Sequence, residues 1–203
     1  MQIRRKLIYM WRKIKMGLDM YLTRKKYIDG NYDWNKIEGK IEIKKDGKEI
    51  PLDIKKIKYI VEDVGYWRKA NAIHRWFVNH VQDGNDDCGC YGVEISDLEE
   101  LLKICKKIKE KVILKDGLIK NGQQFENDKW EDIYIGGKFI ENPEICEQLL
   151  PTGSGFFFGS TEYDEYYMKD INYTIEVLEQ VIKEQKELNS NGIYSYLEYC
   201  SSW

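Results

Sequence analysis

The chain has 203 residues, 42% of them apolar and 33% charged, with a net charge of −3. That balance is globular, not disordered, and leaves room for one domain with a sizeable core. No apolar run approaches the roughly 18 residues of a membrane span, and the N-terminus has no uninterrupted apolar segment with a small-residue cleavage site. No membrane partner is expected.

The charge is uneven. Residues 1–15 hold Arg4, Arg5, Lys6, Arg12, Lys13 and Lys15 and no acid, which leaves 26 basic against 35 acidic residues from Met16 onward. A basic arm of this kind can serve nucleic acid or a membrane surface. Trp11-Arg12-Lys13 before Met16 can equally be encoded by a ribosome-binding sequence. Residues 1–15 are therefore expected to be a translated leader that is not native, with the domain at 16–203, and nucleic acid is not expected as a partner. The five cysteines are Cys88, Cys90, Cys105, Cys146 and Cys200. An odd count at scattered spacing reads as free thiols in a reducing cytoplasm, not a disulfide framework. Cys88-Gly89-Cys90 lacks the second pair that a zinc site needs.

In chain order, residues 17–28 alternate Leu18, Met20 and Leu22 against Asp19, Tyr21 and Thr23, the pattern of a half-buried strand. Asp46-Gly47 between two short apolar stretches predicts a hairpin. A strand follows at 58–64. The next segment, 66–82, places Trp67, Ala70, His74, Phe77, Val78 and Val81 on one face at helical spacing, with Arg68, Asn71, Arg75 and Asn79 beside them. A second helix is expected to start at Ser96, with Glu99 closing a capping box. Residues 112–145 hold short strand-like pieces, such as 132–135 and 138–140, between Asp-Gly, Asn-Gly and Gly-Gly turns. A third helix is expected from about Glu162 to Leu188, and a last strand at 194–203. Strands and helices do not alternate as a doubly wound sheet requires. The expected class is α+β: a single domain with a mixed or antiparallel sheet and about three amphipathic helices.

Four segments resemble a family of small uncharacterised proteins encoded by bacteriophages and prophages. They are MGLDMYL at 16–22, GYWRKANAIHRWFV at 65–78, SGFFFGSTEYDEYY at 154–167 and the ending Ser201-Ser202-Trp203. Members typically begin near the position of Met16, and relative to the shorter ones 39–55 and 112–145 look like embellishments. The resemblance implies a phage origin, a fold and a place in the cytoplasm of the bacterial host. It carries no activity.

Gly155 and Gly159 bracket the Phe156-Phe157-Phe158 run and permit sharp turns. Thr161 and Asp164 stand at capping-box spacing, and Glu162 and Asp164 suit the positive end of a helix. Those acids oppose an anion at that helix start, so phosphate is expected at Arg68, Lys69 or Arg75. Tyr163, Tyr166 and Tyr167 point around the helix, so at least one should line a groove. Trp76 lies off the apolar stripe. Rings with Arg and Asn donors are the ingredients of a nucleobase pocket. The expected ligand-binding set is Arg68, Lys69, Asn71, His74, Arg75, Trp76, Ser160, Thr161, Glu162, Tyr163, Asp164 and Tyr166. His74 also reads as a core histidine bonded to a carbonyl or carboxylate. No HExxH, Walker loop, GxSxG or EF-hand pattern is present, and no cofactor or catalytic residue is assigned. The leading expectation is a non-enzymatic binder of a nucleotide-like molecule or a host protein that counteracts a host defence. The alternatives are a metal-dependent phosphoester hydrolase built on His74, Asp87, Glu162 and Asp164, and a structural domain whose aromatic surface forms an oligomer.

Overall fold

The computed structural model describes residues 17–27, 42–51, 53, 56–126, 128–155 and 158–203. The expected leader, parts of 39–55, and Phe156 and Phe157 lie outside them. The described residues are α+β. Strands β1 (Asp19–Tyr27), β4 (Tyr59–Arg68), β5 (Cys90–Val93) and β8 (Ser195–Ser202) form one antiparallel sheet in the order β4-β1-β8-β5. Strands β2 (Lys44–Lys45) and β3 (Lys48–Glu49) form the small hairpin, with Asp46 and Gly47 both at positive φ, the geometry that Asp-Gly favours.

Alternation along the sheet puts Met20 and Leu22 of β1, Trp67 of β4, and Leu197 and Tyr199 of β8 on one face, all fully or almost fully buried. Helices α1 (Asn71–His80), α2 (Ile95–Lys111) and α4 (Glu165–Ser190) complete this core. Phe77 of α1 stacks on Tyr199 with ring centroids 4.0 Å apart. The indole N–H of Trp67 donates to Thr174 of α4 at 2.9 Å. Helix α2 runs against α4, their outer edges joined by Lys106–Glu179 and Lys186–Glu99 ion pairs. Arg24, buried at the end of the β1 core row, is matched by Gln185, Glu184 and the carbonyl of Val181.

Several expectations change. The helix read from Tyr66 begins at Asn71, because Tyr66, Trp67 and Arg68 pair with Tyr21, Met20 and Asp19 as the end of β4. Strand β5 runs straight into α2, so Glu94 and Asp97 form its capping box instead of Ser96 and Glu99. The pieces in 112–145 form one long hairpin, β6 (Leu114–Glu126) and β7 (Lys129–Ile140), followed by an unforeseen short helix α3 (Glu144–Leu149). Helix α4 starts at Glu165, with Asp164 as its N-cap. Phe139 at the end of β7 bridges Asp164, and Ile140 donates to the carbonyl of Tyr163. These bonds draw the residues before the cap into an extended path. The free-thiol reading fails for two cysteines. Cys90 and Cys200 face each other across β5 and β8 with Cα atoms 4.4 Å apart and form a disulfide, while Cys88, Cys105 and Cys146 are free. The spacing hid the bond because the partners lie 110 residues apart.

Candidate functional site

The β4–α1 junction turns on Lys69, a non-glycine residue at φ 60°, whose amide is tied to the carbonyl of Leu18. Asn71 opens the helix and is buried. Its side-chain amide donates to the carbonyls of Phe158 and Ser160 at 3.2 and 2.8 Å, and its carbonyl accepts from the amide of Gly153 at 3.1 Å. One side chain therefore clamps both arms of the 151–163 loop to α1. Further bonds hold the loop to itself and to the helix: Thr152 to the carbonyl of Thr161 at 3.0 Å, and Arg75 to the carbonyl of Thr152 at 2.8 Å. Gly159 has φ 97° and crosses Lys69 so closely that a Cβ there would stand 3.0 Å from the Lys69 carbonyl. The glycine is needed for both reasons.

This packing leaves a cleft of about 860 Å³ between the start of α1, the 159–164 loop with the start of α4, and the β6–β7 hairpin. Eight of the twelve expected residues line it: Arg68, Lys69, Asn71, Ser160, Thr161, Glu162, Asp164 and Tyr166. Its third wall was not foreseen. A bulge between Lys120 and Gln123, with Gly122 at φ 113°, turns Lys120–Gln123 toward the cleft, a recognised use of an extra residue in a strand. Lys169 and Asp170 also line it. They stand three and four residues after Tyr166 on one helical face, a spacing visible in the sequence.

The two helix starts at the cleft differ. At α4 the Asp164 carboxylate accepts from the amides of Tyr166 and Tyr167 at 2.8 and 3.2 Å. At α1 the N-cap is Ala70, with no side-chain cap and no acid in the first turn. The Asn71 amide donates to the Lys69 carbonyl at 2.9 Å, and the Ala72 and Ile73 amides have no partner among the described residues; with the helix dipole, they make such a start receptive to an anion. Lys69 and Lys169 make no ion pair among the described residues, whereas Arg68 pairs with Asp19 at 3.0 Å and Lys120 with Asp132 at 2.7 Å. The acids cluster too. Burial pushes the Asp164 carboxyl up against the pull of its two amide bonds, and burial pushes Asp170 up to about 7.

Four expected residues lie elsewhere. Trp76 is buried, stacked on His80 at 4.6 Å and edge-on to Phe77, so it offers no open face to a ligand. Its position off the stripe misled because α1 is covered on more than one side. Tyr163 packs edge-on against Tyr167, and its hydroxyl accepts from the amide of Thr152. Of the three tyrosines, Tyr166 alone lines the cleft while largely exposed; Tyr167 is buried and donates to the carbonyl of Leu150. His74 and Arg75 flank a separate shallow groove of about 290 Å³ on the other side of Asn71. His74 is a core histidine. Nδ1 lies 2.8 Å from the Tyr199 hydroxyl and Nε2 3.0 Å from Asp86, whose other oxygen accepts from the indole of Trp203. With both ring nitrogens engaged, it has no free position for general-base work. The expected hydrolase set is not assembled either. Asp87 turns to the amide of Gly89 and the hydroxyl of Tyr91, and Glu162 and Asp164 sit in the other cavity. Among the described residues no three His, Cys, Asp or Glu side chains form a metal-binding group.

No family model, curated protein or solved structure matches the chain. The candidate site stands on its own geometry.

Proposed function

We propose that the protein is a phage-encoded accessory protein that holds a nucleotide-like small molecule in this cleft without turning it over, and thereby counteracts a host defence. One observation carries the reading: the uncapped, acid-free start of α1 opens into a cleft beside Lys69 and Arg68, with the Tyr166 ring on another wall. The phosphate would meet the α1 amides and the two cations. The base would lie against Tyr166, with Thr161 and Ser160 near the sugar. The phage origin rests on the four resembling segments.

The test is a thermal-shift panel of linear and cyclic nucleotides, each with and without Mg²⁺ or Mn²⁺. A ligand at about 100 times its dissociation constant adds about 2.7 kcal/mol, or roughly 5–10 °C for a domain of this size. The expected result is such a shift, lost in Arg68→Ala with the fold intact. A shift that needs metal and consumes the nucleotide would replace the reading by the hydrolase. A flat panel would move the search to host protein partners.

A further inference from the structure

Strand β4 ends the four-stranded sheet on one side and β5 ends it on the other. The two edges are unlike. Strand β5 is four residues long, and a short edge discourages pairing with another chain. Strand β4 is ten residues long, and among the described residues no strand pairs with its outer side. Tyr59, Ile60 and Val61 follow one another there, 39, 39 and 51% exposed. Alternation sends Tyr59 and Val61 to one face and Ile60 to the other, so the edge is apolar on both. Open edges are normally masked with charge or cut short. An extra residue at Val64, between the Leu22–Gly65 and Thr23–Asp63 pairs, interrupts the strand further along. Regular pairing is left to residues 58–62, Lys58-Tyr59-Ile60-Val61-Glu62.

That segment is complementary to itself. Set antiparallel to a second copy with Ile60 opposite the partner's Ile60, it brings Lys58 to the partner's Glu62 and Glu62 to the partner's Lys58. Tyr59 then meets the partner's Val61, and Val61 the partner's Tyr59. Opposite charges and aromatic–β-branched pairs directly across antiparallel strands both stabilise a sheet. Lys58 is exposed, and Glu62 is held in place by Lys26 at 2.6 Å. Moving the centre to Tyr59 or to Val61 sets Lys58 or Glu62 against the partner's Ile60 instead, so the charges select one register.

We infer that two copies of the chain pair along β4, centred on Ile60, and join their four-stranded sheets into one of eight strands. A two-fold axis through that centre uses the same patch on both copies, as a closed dimer requires. Strand β4 reaches the nucleotide cleft only at its far end, through Arg68, so the dimer forms whether or not the cleft is filled.

The experiment is sedimentation velocity of the full chain over a dilution series, alongside Val61→Lys and Lys58→Glu. With rising concentration the wild type should pass from the 24.2 kDa monomer to twice that mass. Val61→Lys puts a charge into the apolar centre of the edge and should abolish the dimer. Lys58→Glu turns both ion pairs into like-charge pairs and should weaken the dimer about tenfold. Both side chains are exposed, so the fold should survive, and Lys58→Glu serves if Val61→Lys does not fold. In a Cys88→Ser background, Ile60→Cys should form a disulfide-linked dimer on mild oxidation and Tyr59→Cys should not, because only residue 60 lies directly opposite its own copy. A monomer at every concentration would overturn the inference and leave this edge to a strand of a different protein. A dimer that withstands Val61→Lys would overturn it by placing the interface elsewhere. A dimer as tight in Lys58→Glu as in the wild type would overturn the centring on Ile60.

Discussion

Helices α1 and α4 begin at the same cleft and are finished in opposite ways. The start of α4 is closed from within the chain, because the Asp164 carboxylate takes two of its amides and Glu165 adds a negative charge in the first turn. The start of α1 has neither device. Asn71 has the right chemistry to cap a helix, but its side chain is spent on the 151–163 loop. Lys69 at positive φ and Ala70 lead into the helix with no side-chain cap, and only the Asn71 amide is met there, by the carbonyl of Lys69 at 2.9 Å. A helix start of this length normally gains about 1 kcal/mol from a cap. Its absence beside Lys69 and Lys169, which make no ion pair among the described residues, separates an end built for stability from one left open.

The largest test removes the clamp. Asn71→Ala would orphan two loop carbonyls and one amide around a buried site, which should cost about 3 kcal/mol and lower Tm by roughly 6–12 °C. A loss below about 1 kcal/mol in chemical denaturation would mean that the loop does not depend on α1.

The second test concerns the acidic side. Asp170 stands at about 7 against an ordinary 3.8, raised by burial, so the fold disfavours its charged form. Below pH 4 both folded and unfolded chains hold the proton and nothing is lost. Stability attributable to this group falls as pH rises from about 4 to 7, and the full penalty remains above 7. Asp170 is partly exposed, so Asp170→Asn should gain about 2 kcal/mol at pH 8 and nothing at pH 3.5. Urea melts at the two pH values check this, and an equal effect at both would remove the burial argument.

The smallest effect sharpens the contrast most. Lys69→Gly relieves the left-handed backbone and should stabilise the chain by about 0.5–1 kcal/mol while weakening nucleotide binding, because it deletes a cation of the cleft. Greater stability with unchanged affinity would show that Lys69 serves the turn alone.

Much of the fold was legible because it depends on neighbours in sequence. Alternation in Met20, Leu22 and Leu18, the Asp46-Gly47 turn, and the three-and-four spacing of Leu98, Leu101, Cys105 and Ile108 each report a local period. Eight site residues could be listed because two compact motifs contain them. The errors fall where a distant strand overruled the local pattern. Tyr66 and Trp67 have helical spacing with the residues after them, yet β1 supplies backbone partners that hold them as strand. Trp76 reads as exposed from its own helix, and Cys90 reads as a free thiol until β8 brings Cys200 opposite.

By itself, then, the sequence determined the α+β class, the amphipathic faces and the chemistry gathered around 65–78 and 154–167. Only the tertiary structure decided that these two segments share a cleft, and that the hairpin bulge at Lys120–Gln123 closes its third side. The physical reason is one of range. Periodicity and caps are set by residues a few positions apart, whereas a cavity exists only once segments far apart in the chain have packed.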